Sequence, residues 1–116
     1  MTESPENKVS QALHSDDENR RRIAEAGIAL TAMLLAKNHD YGSSAWEIPL
    51  LCPTLSPGDA ILCRMSDKVK RIQRLQSGET AQVAESLEDN IGDLAGYGLL
   101  WLARPTESTA VESSVV

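Results

Sequence analysis

The stretch Glu85-Ser86-Leu87-Glu88-Asp89-Asn90-Ile91-Gly92-Asp93-Leu94-Ala95-Gly96-Tyr97 decides how this chain is read. At about 100° per residue, Val83, Leu87, Ile91, Leu94, Gly98, Trp101 and Leu102 fall on one helical face. Glu85, Asp89 and Asp93 recur at i, i+4 and i+8 on another side, with Gly92 and Gly96 beside them. Like charges at that spacing destabilise a helix, and an internal glycine costs about 1 kcal/mol against alanine. No Lys or Arg lies between Glu79 and Ala103 to offset the acids. The row therefore predicts a close, positively charged neighbour: a metal ion, a basic helix, or both.

Working outward, Pro105 after Arg104 closes a helix expected over about residues 80–103. Upstream, Ser56-Pro57-Gly58-Asp59 combines an N-cap serine, a proline at the first helical position and an acid at the third. This predicts a helix over 57–76, stopped by Ser77-Gly78, with Ile61, Leu62, Met65, Val69, Ile72 and Leu75 along one face. Five of the 11 basic residues (Arg64, Lys68, Lys70, Arg71 and Arg74) belong to it. So short a connection makes the basic and acidic helices antiparallel neighbours.

A third helix is expected over about 16–38, with Ser15 as N-cap and Glu18 completing a capping box. Its apolar residues form two stripes, Ile23, Gly27, Leu30 and Leu34, and Ile28, Thr31 and Leu35. A helix apolar on two sides touches more than one neighbour. Between these helices, residues 43–55 read as an irregular loop, apolar for a loop, fitted to act as a lid or an interface. Residues 1–14 and 105–116 lack periodicity and are expected to be disordered tails around a single helical domain, 15–104. The fold class is thus all-α: three main helices in an oligomeric helical bundle, since so thin a core needs a second copy.

A net charge of −6 excludes a general nucleic-acid binder, because no cationic surplus exists to neutralise a run of phosphates. Cys52 and Cys63 lack metal or disulfide spacing and read as buried apolar residues. The polar start shows no signal peptide, and the longest apolar run, Ala26 to Ala36, is too short for a bilayer of about 20 helical residues. The expectation is a soluble cytoplasmic protein.

Set against each other, the acidic and basic helices offer the parts of a nucleotide site. Glu85, Asp89 and Asp93 suit Mg²⁺, while Arg64, Lys68 and Arg71 around Asp67 suit phosphate oxygens. The same residues equally compose an interhelical salt-bridge network. Lys37-Asn38-His39-Asp40-Tyr41-Gly42 is a second candidate, with Lys37 for phosphate, Asn38 for a base edge or ribose, and Tyr41 or Trp46 for stacking. It also reads as a plain helix end stopped at Gly42.

Three motifs in order, Lys37-Asn38-x-Asp40-Tyr41-Gly42, Arg64-Met65-Ser66-Asp67-Lys68-x-x-Arg71-Ile72 and Glu85-Ser86-x-x-Asp89-x-x-x-Asp93-Leu94-Ala95-Gly96-Tyr97, resemble a family common in phages and prophages, the nucleotide modification-associated domain, type 1. That resemblance implies phage-type nucleotide metabolism in the host cell cytoplasm. More distantly, the paired helices look like the all-α MazG-type nucleoside triphosphate pyrophosphohydrolases, which hold Mg²⁺ on a Glu-x-x-Glu and a Glu-x-x-Asp helix. Here Asn90 stands where the second motif has Glu, and Arg64 to Asp67 offers a single acid. The expected functions are Mg²⁺-dependent cleavage of a nucleoside triphosphate to monophosphate and pyrophosphate, or non-catalytic sequestration of a nucleotide or cyclic-nucleotide signal as counter-defence. If the acidic row is an unpaired metal site, replacing Asp89 and Asp93 by Asn is expected to raise the melting temperature.

Overall fold

The computed structural model describes residues 3–41, 44–78 and 86–106. The architecture is all-α, as expected, with no strand among the described residues. The described residues form four helices rather than three: α1 Pro5–Leu13, α2 Glu18–Tyr41, α3 Pro57–Gln76 and α4 Leu87–Ala103, with a 3-10 turn at Ser44–Trp46. No helix is long and apolar enough to cross a membrane. The chain divides into two compact units, Met1–Asp40 and Tyr41–Val116.

In the first unit, the additional helix lies in the stretch expected to be a disordered tail. Composition hid a local signal. Ser4 is an extended N-cap whose Oγ accepts from Asn7 N at 3.1 Å, and Pro5 follows it with its φ already helical. α2 begins two residues later than the Ser15 cap predicts. Ser15 Oγ accepts from Asp17 N at 3.0 Å, and Asp17 Oδ1 then accepts from Asn19 N and Arg20 N at 3.0 and 3.3 Å. Asp17 is therefore the working cap, and its negative charge suits the helix N-terminus. At the other end α2 continues to Tyr41, past the expected stop near 38; Gly42 lies outside the described residues. Ala24 is buried, but Ile23, Ile28 and Leu35 are exposed.

The second unit is built on α3 and α4. The start of α3 follows its sequence signature: Ser56 is extended, its Oγ accepts from Asp59 N at 3.0 Å, and Pro57 sits in the first turn. Ser77 caps the end and Gly78 takes φ +89°, a left-handed turn that glycine adopts without strain. The start of α4 overturns the predicted helix over 80–103. Ser86 is extended and caps α4, so the helix begins at Leu87 and Glu85 precedes it. Residues 79–85, Val83 included, lie outside the described residues.

The packed face of α4 is also rotated from the apolar stripe. Asn90 and Gly96 are buried, whereas Leu87, Ile91 and Leu102 are exposed. Of the predicted apolar face, Leu94, Gly98 and Trp101 are half-buried, so the stripe meets the packed side of α4 only along one flank. On α3, which packs against α4, Ala60 and Ile61 are buried. Both cysteines are free and exposed, contrary to expectation; Cys63 lies two positions beyond Ile61, past the packed side of α3.

The apolar loop does fold back in part. Trp46 Nε1 donates to Leu100 O at 3.1 Å, satisfying a carbonyl in the last turn of α4 that has no intrahelical partner. Leu50 and Leu51 remain almost wholly exposed. At the same end Arg104 donates from Nη1 to Trp101 O at 2.8 Å and lies 3.6 Å over the Trp101 ring. A Cβ on Gly58 would come within 3.1 Å of Arg104 Nε and 3.2 Å of its Cδ. A guanidinium held both by a carbonyl and by a ring has little room to retreat. Gly58→Val is accordingly expected to cost about 1–3 kcal/mol through overpacking, outweighing the gain usual for replacing a helical glycine. Thermal unfolding checks this, and an unchanged or raised melting temperature would contradict the packing described.

Candidate functional site

Two chemistry-bearing residues of the second unit, Lys68 and Asp93, meet where the middle of α3 passes α4. Lys68 Nζ lies 2.9 Å from Asp93 Oδ2, joining the helices across their interface. The Lys68 side chain is only 14% exposed against 38% for Asp93. The pair therefore stands between a surface ion pair, worth about 0–1 kcal/mol, and a buried one, whose desolvation offsets its attraction. Its place follows from sequence. Ile61, Lys68 and Leu75 lie seven residues apart, so Lys68 emerges on the side of α3 that meets α4.

One turn before Asp93, Asn90 is 1% exposed. Its Nδ2 donates to Ser86 O at 3.0 Å, the carbonyl that also accepts from Asn90 N at 3.2 Å. Asn90 Oδ1 is buried and has no donor among the described residues. Leaving such an acceptor unmet costs about 1–3 kcal/mol, so this side of α4 carries a polar group whose demand the fold does not meet. Asn38 Oδ1, on α2 in the other unit, is likewise buried without a donor.

Asp89 has a different task. Its Oδ2 accepts from Ser86 N at 3.2 Å while Ser86 Oγ accepts from Asp89 N at 2.9 Å, a reciprocal capping box. The side-chain bond to Ser86, followed by the backbone one, holds the Asp89 carboxyl below its ordinary value of 3.8. Glu88 stands in the same first turn, where the helix dipole favours acids. The acids of α4 are thus less mutually repelled than the row suggests. Glu85 lies before the described helix, Asp89 is spent on the cap, and Asp93 is neutralised by Lys68.

The expected Mg²⁺ site meets this geometry only in part. Among the described residues no group of three His, Cys, Asp or Glu side chains could hold a metal ion. Of the expected phosphate ligands on α3, Lys68 faces α4, while Arg64, Asp67 and Arg71 are exposed. Lys37 is exposed and Asn38 half-buried on α2, and the side chains of Asp40 and Tyr41 lie outside the described set. Lys37 and Asn38 fall in one unit and Lys68 and Asp93 in the other. Of the expected salt-bridge network, the Lys68–Asp93 link is present. Sequence reading missed two residues: Asn90, taken only as a departure from a motif, and Ser86, whose Ser-x-x-Asp spacing is the same capping signature sought at Ser15.

A family model described as nucleotide modification associated domain 1 matches residues 37–104, which includes α3, α4 and both asparagines with unmet carbonyl oxygens. No curated protein and no solved structure matches the chain.

Because both α4 acids are engaged, the double change Asp89→Asn with Asp93→Asn is expected to lower the melting temperature, the opposite of the outcome for an unpaired metal row. A rise would restore that reading. The capping box adds a pH signature. A carboxyl with a depressed folded pKa stabilises above its ordinary value and loses that contribution as pH falls through the folded one. Stability of the wild type is expected to fall more steeply below about pH 4 than that of Asp89→Asn, as followed by acid titration of helical circular dichroism. Parallel curves would show that the cap does not titrate.

Proposed function

The chain belongs to the nucleotide modification associated domain 1 family, and from that premise we propose that it binds a nucleotide through its phosphates at the α3–α4 interface, with Lys68 as the principal cation. The observation that carries the reading is the half-buried Lys68–Asp93 pair beside Asn90. A lysine ammonium is a compact donor of three hydrogen bonds, and phosphate oxygens compete with a carboxylate for it. Phosphate binding exchanges one anion for another at Lys68, so the cation is never left bare. Arg64 and Arg71 on the same helix supply further positive charge for a polyphosphate. Asp67 orients its basic neighbours, and the segment Lys37, Asn38, Asp40 and Tyr41 is proposed separately, from its sequence, as a nucleotide contact.

Magnesium enters this reading chiefly on the nucleotide's own phosphates, the way Mg²⁺ usually reaches such sites. Were Mg²⁺ also to touch the protein, Asp93 released from Lys68 and Asp89 released from its cap would be the carboxylates of α4 to hold it, with Glu85 the third residue of the proposed set. Cleavage of a nucleoside triphosphate to monophosphate and pyrophosphate, which the MazG-type resemblance implies, is the catalytic form of the proposal. The engagement of both Asp89 and Asp93 favours the other form, a non-catalytic protein that sequesters a nucleotide or cyclic-nucleotide signal, as a phage counter-defence protein would.

Thermal shift with nucleoside triphosphates tests the binding. A ligand at a hundredfold excess over Kd stabilises by about 2.7 kcal/mol, easily seen in a melting curve. The wild type is expected to be stabilised and Lys68→Met not to be. Equal stabilisation of the two proteins would remove Lys68 from the site. Release of pyrophosphate in the presence of Mg²⁺, measured on the same samples, separates the two forms: its appearance selects hydrolysis, and stabilisation without release selects sequestration.

A further inference from the structure

We propose, on the basis of that phosphate site, that Asn90 is its specificity residue, accepting a hydrogen bond from a sugar hydroxyl of the nucleotide whose phosphates meet Lys68. Asn90 thereby selects nucleotides over bare polyphosphate. The residue is 1% exposed, and its Oδ1 has no donor among the described residues. Turning the amide over does not mend this. Nδ2 donates to Ser86 O at 3.0 Å, and a flipped amide would set Oδ1 against that carbonyl oxygen instead. The position therefore presents a fixed acceptor rather than an adaptable polar group. Its nearest companions offer nothing. Lys68 Nζ goes to Asp93 Oδ2 at 2.9 Å, and the Asp89 carboxylate, itself an acceptor, is held in the cap by Ser86. In the antiparallel register set by the Lys68–Asp93 pair, one turn further along α3 brings Ile72 level with Asn90, and its side chain has no donor.

The chemistry of the missing partner follows from the two neighbours. Ionised phosphate oxygens carry lone pairs only, so the group that meets Lys68 cannot also meet Asn90 Oδ1. The ligand has to bring an O–H or N–H donor beside its phosphates. Distance selects among such donors. Asn90 and Asp93 stand three apart on α4, which sets their Cβ atoms about 5–6 Å from each other. A single sugar bridges a gap of that size, because its hydroxyls stand across the ring from the 5′-phosphate. The amino groups of a base lie beyond the sugar. Oδ1 is closed off while no ligand is bound, which orders the events: phosphate parts Lys68 from Asp93, and the hydroxyl then reaches the acceptor beside them. An analogue without the hydroxyl leaves that acceptor unmet, and a site built around a hydroxyl rejects such an analogue.

Calorimetric titration into the full chain tests this, using ribonucleoside 5′-triphosphates, their 2′-deoxy and 2′,3′-dideoxy forms, and inorganic tripolyphosphate. The wild type is expected to bind the dideoxy forms and tripolyphosphate at least about tenfold more weakly than the hydroxyl-bearing nucleotides, the weight of one net hydrogen bond. The 2′-deoxy series shows which hydroxyl is read. Asn90→Leu is expected to bring the ratio of hydroxyl-bearing to dideoxy affinity to about one. A residue that only packs α4 against α3 would change all affinities together, so an unchanged ratio in Asn90→Leu would overturn the inference. The wild-type series stands even if Asn90→Leu fails to fold. Dideoxy forms bound by the wild type as tightly as the hydroxyl-bearing ones would overturn the role of Asn90 and leave the phosphate site in place. Failure of tripolyphosphate and of every nucleotide to bind would overturn the phosphate site and the role of Asn90 with it.

Discussion

The antiparallel contact of α3 with α4 is the constraint on which the second unit rests, and the Lys68–Asp93 pair fixes its register. Three points along the contact agree. At one end Gly58 lets α3 come against Trp101 and Arg104, and in the middle Lys68 meets Asp93. At the far end Ser86 starts α4, and Asn90 is buried one turn inside it. Moving the cap by one residue would turn α4 by about 100° and carry Asp93 away from Lys68. The capping box, a local device, thus sets the phase of a tertiary ion pair.

Much of this was legible in the sequence because it is local. Ser56-Pro57-Gly58-Asp59 gave α3 its start and Ser77-Gly78 its end; the expected antiparallel pairing is present, although residues 77–86 and not a two-residue turn separate the two helices. The basic residues of α3 and the acids of α4 pointed to each other, as Lys68 and Asp93 confirm. What failed has physical reasons. Composition judged residues 1–14 disordered, whereas one serine and one proline suffice to start α1. The i, i+4, i+8 row assumed that helical phase runs through residue 86, where Ser86 breaks it. Hydrophobic periodicity placed Leu87 and Ile91 inward, yet both are exposed and Asn90 and Gly96 are the buried residues of α4. Asn90 was invisible as a buried residue because nothing in a sequence tells a buried amide from an exposed one.

These features connect stability with function. Asn90 Oδ1 has no donor, and the ion pair beside it returns little net free energy. A fold selected for stability alone would fill such a position with apolar side chains, often at no loss. Polar groups kept at that cost suit a place where a ligand arrives and replaces one partner with another. The exposed apolar residues of α2 and of the loop after Trp46 point the same way: the isolated chain leaves its surfaces incompletely covered.

The central claim is that Asp93 holds Lys68 in the place of a phosphate. Calorimetric titration of inorganic tripolyphosphate into the wild type and into Asp93→Asn, each with and without a chelator, tests it most directly. Asn keeps the shape of Asp93 and removes its charge, so the competing anion is gone and repulsion of the ligand is relieved. The account predicts that Asp93→Asn binds tripolyphosphate several-fold more tightly than the wild type, with or without the chelator. Loss of binding in Asp93→Asn, matched by loss in the chelated wild type, would contradict it and make Asp93 a metal ligand instead.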